Sequence, residues 1–210
     1  MATPNLFDPK AQVEKRTGSY LPHWSQDGST YFVTFRLADS LPQVVLLRRR
    51  EEGQIIERLK QRGQISNEEI LRRKKEIERQ VQKALDEGHG KVVLKTPEIA
   101  ELMQNALRFF DDTRYVLWAW CVMPNHVHAV VQPFPGQELE DVLHSWKSYT
   151  AHEINQMLGR KGTLWETESF DHLIRSEGSF LWCVEYTYSN PDKAGLRNWA
   201  WRGKRQVSWE

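Results

Sequence analysis

The sequence has few cysteines, no long apolar run and almost no net charge. Its two cysteines, Cys121 and Cys183, are too few for a disulfide framework, which is typical of proteins kept in a reducing compartment. No apolar run approaches the roughly 20 residues that cross a bilayer, and the polar, charged opening segment lacks the apolar core of a signal peptide. We therefore expect a cytoplasmic protein with no membrane partner.

Charge is balanced along the whole chain. There are 29 Lys and Arg residues against 28 Asp and Glu, a formal net charge of +1, which excludes an acidic tail and a uniformly basic, histone-like surface. Any nucleic-acid-binding surface must therefore be local. With 210 residues, 40% of them hydrophobic, the chain is long enough to bury a core. We expect residues 1–210 to form a single domain.

The order of the periodic segments predicts an α+β fold, with helices packed on a mixed or antiparallel sheet. Strands are predicted at residues 31–37, 115–122 and 126–132 and within 163–175, and helices after Thr96, from about 139 to 158 and from 177 to about 189. The last helix is expected to end before Pro191. In the strand at 115–122, uninterrupted alternation would put Leu117, Ala119 and Cys121 on one face.

A charged insert at about residues 44–95 interrupts this pattern. From 44 to 86 it has no aromatic residue, and spaced Leu and Ile residues predict two helices, the second beginning at Ser66 or Asn67. Most of its arginines are expected to pair with glutamates one turn away on solvated helices. Two runs of cationic residues are instead candidates for binding phosphate: Arg48, Arg49 and Arg50, and residues 72–75.

The C-terminal tail, from about residue 195, is rich in tryptophan and arginine. Its aromatic and cationic side chains alternate, as they do in proteins that bind single strands. These residues are Arg197, Trp199, Trp201, Arg202, Lys204 and Arg205. Arg202 and Arg205 are therefore candidate DNA contacts, and packing of the tryptophans on the domain is the alternative.

Two histidines share a face of the strand predicted at residues 126–132. One residue separates His126 from His128, so both imidazoles point to the same side of a strand. Two imidazole nitrogens on a rigid strand can bind a divalent metal ion. The same spacing also fits two half-buried histidines, and the spacing by itself leaves both interpretations open.

Two segments, taken together, resemble a known family. VLWAWCVMPNHVHAVV (116–131) and EYTYSNPDKAGL (185–196) are similar to the single-tyrosine HUH transposases and, more narrowly, to the REP-associated tyrosine transposases. The resemblance runs from about Ser19 to Leu196, apart from the charged insert. It implies a ferredoxin- or RRM-like antiparallel sheet with flanking helices.

The resemblance also implies roles for individual residues. The Met-Pro-Asn-His-x-His box would carry the metal on His126 and His128. The Asn-Pro pair would make Tyr186 the nucleophile and Asn190 a third metal ligand. The helical spacing agrees, because residues at i and i+4 lie on one face. Tyr188 is rotated away by roughly 200°, and a purely structural core tyrosine at position 186 is the alternative.

The activity implied by the resemblance is metal-dependent nicking and joining of single-stranded, hairpin-forming repeat DNA through a covalent 5′-phosphotyrosine. A phenol with a pKa of about 10 is a weak nucleophile near neutral pH, so a Mg²⁺ or Mn²⁺ ion is expected at the site. By the same resemblance Lys147 would contact phosphate, a surface lysine being the alternative. The chain would act as a monomer or a homodimer.

Two other functions remain open at this point. A catalytically silent, sequence-specific nucleic-acid-binding protein could keep the same fold. A zinc hydrolase could use the histidine pair, but a third His, Cys or carboxylate ligand at recognisable spacing is missing.

Overall fold

The computed structural model describes residues 4–17 and 22–207, so Ser19, where the resemblance begins, lies outside the described residues. The strands are β1 (Glu14–Thr17), β2 (Pro22–Ser25), β3 (Tyr31–Arg36), β4 (Tyr115–Val122), β5 (His126–Pro133), β6 (Phe170–Leu173) and β7 (Arg202–Lys204). The α-helices are α1 (Gln43–Gln61), α2 (Asn67–Asp86), α3 (Pro97–Arg108), α4 (Leu139–Met157) and α5 (Glu177–Lys193), with a 3₁₀ turn at Val93–Lys95. None of these described helices is long and apolar enough to cross a membrane.

Five of the strands form one antiparallel sheet in the order β6-β3-β5-β4-β7. β1 and β2 pair separately as a small antiparallel ribbon. The connection between β4 and β5 is short, which confirms the predicted hairpin and puts the histidine strand in the centre of the sheet. The predicted α+β class with an antiparallel sheet is confirmed.

Helices cover both faces of this sheet. Val33 and Phe35 of β3 belong to the main core, which includes Ile99 of α3 and Trp146 of α4. Phe32 points to the other face and packs in a second cluster with residues of α5. Because β-strand side chains alternate between faces, Thr34 and Arg36 follow Phe32 to the α5 side. His126, His128 and Tyr186, which are described below, lie on that side.

A bulge in β4 reverses the predicted alternation. The pairing with β5 shifts between Leu117 and Ala119, which leaves Trp118 as the extra residue. Ala119 therefore packs in the α5 cluster, whereas Val122 joins Leu117 in the main core. The prediction that Leu117 and Ala119 share a face is wrong, since one inserted residue exchanges the two faces of the rest of the strand.

The charged insert forms the two predicted helices, α1 and α2. The hydroxyl of Ser66 caps α2 by accepting a hydrogen bond from the Glu69 amide at 3.2 Å. Arg72 pairs with Glu69, and Arg79 with Glu76, each at 2.8 Å, so these arginines follow the solvated-helix interpretation. A small apolar cluster packs α1 and α2 against each other and against the segment just before α1. Its buried members are Leu41, Val81, Ala84 and Leu85.

The last helix, α5, continues through Pro191 to Lys193, which corrects the predicted end near residue 189. Proline has no N–H, so one hydrogen bond is lost in the last turn. The helix nevertheless continues, because the Ala194 amide donates to the Asn190 carbonyl at 3.0 Å. Asn190 therefore keeps its helical position one turn after Tyr186.

The described part of the tail packs on the domain. β7 pairs with the outer edge of β4, and the Trp199 indole donates to the Val122 carbonyl at 2.7 Å. Trp201 packs against the main core. These two tryptophans therefore contact the domain, as the packing alternative predicts.

The contact between β7 and Trp120 of β4 gives a test of this packing. A Cβ atom at Gly203 would lie 2.2 Å from the Trp120 ring. We therefore expect Gly203→Ala to lower the free energy of unfolding by about 1–3 kcal/mol through overpacking, measured by urea denaturation. Gly53 of α1 is the control, since no atom lies within 4 Å of its Cβ position. Gly53→Ala should be neutral or stabilise by about 0.5–1 kcal/mol. Equal stability of Gly203→Ala and the parent would contradict this packing.

Candidate active site

The two histidines of β5 lie fully buried and side by side on the α5 face of the sheet. The Nε2 atoms of His126 and His128 are 3.0 Å apart, and the rings meet edge to face with centroids 4.6 Å apart. The strand geometry predicted from their spacing is therefore present. Both rings are fully buried, whereas the alternative interpretation of the spacing was two half-buried histidines. A buried polar ring requires hydrogen-bond partners.

The outer nitrogen of each ring has such a partner. Asn125 Oδ1 lies 2.7 Å from His126 Nδ1, and Thr34 Oγ1 lies 2.8 Å from His128 Nδ1. The amide nitrogen of Asn125 donates to the carbonyls of Leu85 and His89 at 3.2 and 3.1 Å, which fixes the amide's orientation. Its oxygen therefore accepts the Nδ1 proton of His126 and leaves Nε2 of that ring as an acceptor.

Burial also keeps both imidazoles neutral. Loss of water lowers the pKa of His126 well below its ordinary value, and the neighbouring His128 adds to this shift. The same loss of water lowers the pKa of His128 to about 3. A neutral imidazole has the lone pair that a metal ion requires.

Helix α5 brings Tyr186 to the histidine pair. The centroid of its ring lies 5.5 Å from the ring of His128 and 5.8 Å from the ring of Phe32, edge to face in both cases. Tyr186 is half-buried, so its ring is packed while part of the side chain still reaches solvent. A purely structural tyrosine would also pack in this way, but the contact with His128 joins the predicted nucleophile to the predicted metal ligands.

Asn190 lies one turn after Tyr186 and is 2% exposed. Its side-chain oxygen is buried without a hydrogen-bond partner, while its amide hydrogen-bonds the Tyr186 hydroxyl. A buried acceptor without a partner is unfavourable by about 1–3 kcal/mol. The site therefore contains an oxygen that a ligand could satisfy.

The surroundings of Tyr186 hold its hydroxyl in the protonated form. Burial raises the pKa of Tyr186, and the carboxylates of Asp86 and Glu78 on α2 raise it further. The hydrogen bond from Asn190 acts in the opposite direction.

Tyr188 points elsewhere: its ring lies under Arg202 and Lys204, with the cations 4.7 and 4.5 Å from the centroid. The predicted rotation between the two tyrosines is therefore present.

The side chains present fit a small divalent metal ion. An octahedral ion with ligands at about 2.1 Å holds neighbouring ligands about 3.0 Å apart, and the two histidine Nε2 atoms have this separation of 3.0 Å. In the described part of the chain, no three His, Cys, Asp or Glu side chains are grouped to hold a metal. A third protein ligand for the histidine pair would thus be of another type, and the buried Asn190 oxygen is the predicted candidate.

Two residues of the candidate site, Asn125 and Thr34, were not predicted from the sequence. The Met-Pro-Asn-His-x-His box contains Asn125, and its position directly before His126 was a usable signal for a contact with that ring. Thr34 gave no signal, since it meets His128 only through the β3–β5 pairing. His172 is exposed on β6, where it pairs with Phe32, and β3 separates β6 from the histidine strand.

The predicted DNA contacts of the tail have structural partners. Arg202 pairs with Asp192 and donates to the Tyr188 carbonyl. Arg205 pairs with Asp111 and Asp112, each at 2.7 Å. These pairs tie β7 to α5 and to the start of β4, and DNA binding by Arg202 or Arg205 stays a prediction.

The other predicted cations lie on α4 and α1. Lys147 Nζ donates to the Thr167 carbonyl at 2.8 Å, and burial lowers its pKa. Arg48 and Arg50 are exposed on α1, and Arg49 is half-buried. Arg49 and Arg50 line a cleft of ≈ 220 Å³ between α1 and the segment before β6. Phosphate binding by any of these four side chains remains a prediction.

The sequence profile described as "Transposase IS200 like" matches residues 91–196, half of the chain. The chain belongs to the IS200-like transposase family, and so to the DNA-processing enzymes.

One solved structure shares the fold, and a second matches more weakly. A REP-associated tyrosine transposase bound to a REP hairpin matches with a TM-score of 0.51 and 14% identity, over 94% of this chain and 91% of that one. A protein from Deinococcus radiodurans R1, designated a transposase, matches with a TM-score of 0.41 and 14% identity, over 82% and 95% of the two chains. Among curated proteins, none matches this sequence significantly.

The hydrogen bonds around the histidines predict their tautomers in the metal-free protein. Because Asn125 accepts the Nδ1 proton of His126, we expect His128 to donate from Nε2 to His126 Nε2 and to accept the Thr34 hydroxyl proton at Nδ1. Ring ¹⁵N chemical shifts in the presence of a chelator would measure this, and exposed His172 should instead show averaged tautomers. Protonation of His126 at Nε2 would contradict the arrangement.

Proposed function

We propose that the chain is a metal-dependent single-stranded DNA endonuclease and strand transferase that acts through Tyr186. One observation carries the proposal: Tyr186 contacts His128, and the Asn190 beside it has a buried oxygen without a partner. The proposed nucleophile and a proposed metal ligand, from two distant parts of the sequence, are thus in contact, which supports the proposal. A structural tyrosine alone would not explain the unsatisfied oxygen.

His126, His128 and Asn190 are the proposed ligands of a Mg²⁺ or Mn²⁺ ion. When bound, such an ion would polarise the scissile phosphate and offset the charge that develops on it. Asn125 and Thr34 would not bind the ion themselves. They hydrogen-bond the two imidazoles and orient them so that the Nε2 atoms face the site.

The proposed reaction is attack by the Tyr186 hydroxyl oxygen on the scissile phosphorus. A bond forms from that oxygen to phosphorus, and the bond from phosphorus to the 3′ oxygen breaks. The phenol gives up its proton to solvent, and the leaving 3′ oxygen takes up one proton from solvent, so the step balances. The product is a 5′-phosphotyrosine and a free 3′-hydroxyl, so the phosphodiester bond can be remade without an external energy source. The amide of Asn190 favours the phenolate during the attack, against the effect of burial.

We propose single-stranded, hairpin-forming repeat DNA as the substrate, as in the REP-associated branch. The solved protein with a similar fold is bound to a REP hairpin, which supports a hairpin partner for this chain. The two segments at residues 116–131 and 185–196 support the same branch.

A Tyr186→Phe variant tests the nucleophile. The phenylalanine ring keeps the contacts with Phe32 and His128, so we expect DNA affinity to stay within about twofold while the covalent adduct disappears. The assay is a denaturing gel of protein incubated with Mn²⁺ and single-stranded DNA from the repeats flanking its coding region.

Tyr188→Phe is the matched control. Tyr188 faces Arg202 and Lys204, so the Tyr188→Phe protein should form the adduct as the parent protein does. Adduct formation by Tyr186→Phe would rule out Tyr186 as the nucleophile. Specific DNA binding by the parent without any adduct would instead support the catalytically silent DNA-binding protein.

Asn125→Ala tests the metal site without using activity. Loss of the partner that orients a ligating histidine typically weakens metal binding about 10- to 100-fold, and we expect this loss for Mn²⁺, measured by electron paramagnetic resonance of the free ion. Asn190→Ala should also weaken binding. Asn155→Ala is the control, since Asn155 likewise donates to a backbone carbonyl, that of Gly162, but lies on α4. Unchanged affinity in both test variants would refute the site.

A further inference from the structure

Trp182 lies on α5 one turn before Tyr186 and stacks on it. The two ring centroids are 4.9 Å apart and the planes differ by 14°. The residue is nevertheless 62% exposed, and its neighbour Leu181 is 49% exposed. One side of the indole therefore covers the phenol, while most of the remaining ring surface faces solvent.

This exposure is unusual within the protein. Among residues 4–17 and 22–207, Trp182 is the one tryptophan in the exposed class, while the others are buried or half-buried. Tryptophans thus pack in or against the apolar cores on both faces of the sheet, whereas Trp182 lies outside these cores. A large exposed aromatic surface directly beside a reactive group points to a ligand with an aromatic face.

A cation lies on the other side of Tyr186 along the helix. Lys193, almost two turns later, holds its ammonium 4.9 Å from the centroid of the Tyr186 ring. The phenol thus has an aromatic surface towards the start of α5 and a positive charge towards its end. Single-stranded nucleic acid is bound by this combination of side chains, since bases stack on aromatic rings and phosphates attract cations.

We infer that the indole of Trp182 is a stacking platform for a nucleobase next to the phosphate that Tyr186 attacks. The inference rests on the proposed function, because it places a single strand across α5. With one base stacked on Trp182, the adjoining phosphate is held within reach of the Tyr186 hydroxyl. Trp182 is then a positioning residue, and it would contribute to the choice of the cut site through the strength of stacking.

Binding measurements test the platform separately from the reaction. Tyr186→Phe serves as the background, so that no adduct forms, and a fluorescent single-stranded repeat oligonucleotide is titrated with the full chain in Mg²⁺ by anisotropy. Adding Trp182→Ala should weaken binding by about 5- to 150-fold, the range for loss of one base–aromatic stack. Trp182→Phe should recover most of the affinity, because a benzene ring still stacks.

Two controls make the result specific. Phe109→Ala removes another exposed aromatic ring, 75% exposed at the end of α3, and should bind like the background. Oligonucleotides with an abasic site at successive positions should identify one base whose loss weakens binding as much as Trp182→Ala does. The two losses should not add, because both remove the same contact.

Equal binding by the Trp182→Ala, Trp182→Phe and background proteins, with no sensitive base, would overturn the inference. So would a loss of self-association by Trp182→Ala in sedimentation without a base-dependent effect, since the indole would then contact a second copy of the chain. If base-dependent stacking is found but the parent protein forms no covalent adduct, the proposed function fails while the platform stands.

Discussion

His126 and His128 lose their water when β5 is buried between β3 and β4, and each imidazole then needs a hydrogen-bond partner inside the protein. Asn125 and Thr34 take the outer nitrogens, at 2.7 and 2.8 Å. The inner nitrogens are left facing each other at 3.0 Å. The orientation of the pair is thus set by the satisfaction of buried polar atoms, before any ligand is considered.

The same requirement connects the charged insert to the site. The amide of Asn125 is held by the carbonyls of Leu85 and His89, at the end of α2 and just after it. The carboxylates of Glu78 and Asp86 on α2 raise the pKa of Tyr186. The insert therefore has a solvated, ion-paired surface, and the C-terminal part of α2 contacts Asn125 and raises the pKa of Tyr186. The composition of the insert alone did not indicate this second role.

Helix α5 is held in place from both of its sides. Phe180 and Cys183 pack on the sheet, while Lys204 of β7 pairs with Glu185 at 2.6 Å on the outer side. The cations of the tail are used in this packing, and exposed ion pairs of this kind each contribute little, about 0.2–1 kcal/mol. Their combined effect is to align α5, so that Tyr186 stays beside His128.

The sequence by itself determined the features that depend on local periodicity. The hairpin of β4 and β5, the cap of α2 at Ser66, the shared face of His126 and His128 and the helical spacing of Tyr186 and Asn190 all follow from residues close in sequence. Each could be predicted, because backbone geometry fixes which neighbours share a face.

Only the tertiary structure decided the rest. The bulge at Trp118, the continuation of α5 past Pro191, the pairing of β7 with β4, and the roles of Asn125 and Thr34 could not be read from spacing. Each depends on contacts between residues far apart in the chain, whose packing energies outweigh local preferences. The sequence thus determines which chemical groups the site has and how they are spaced locally. Only the fold brings them together, because the helix with the phenol and the strand with the imidazoles pack through apolar surface that both of them bury.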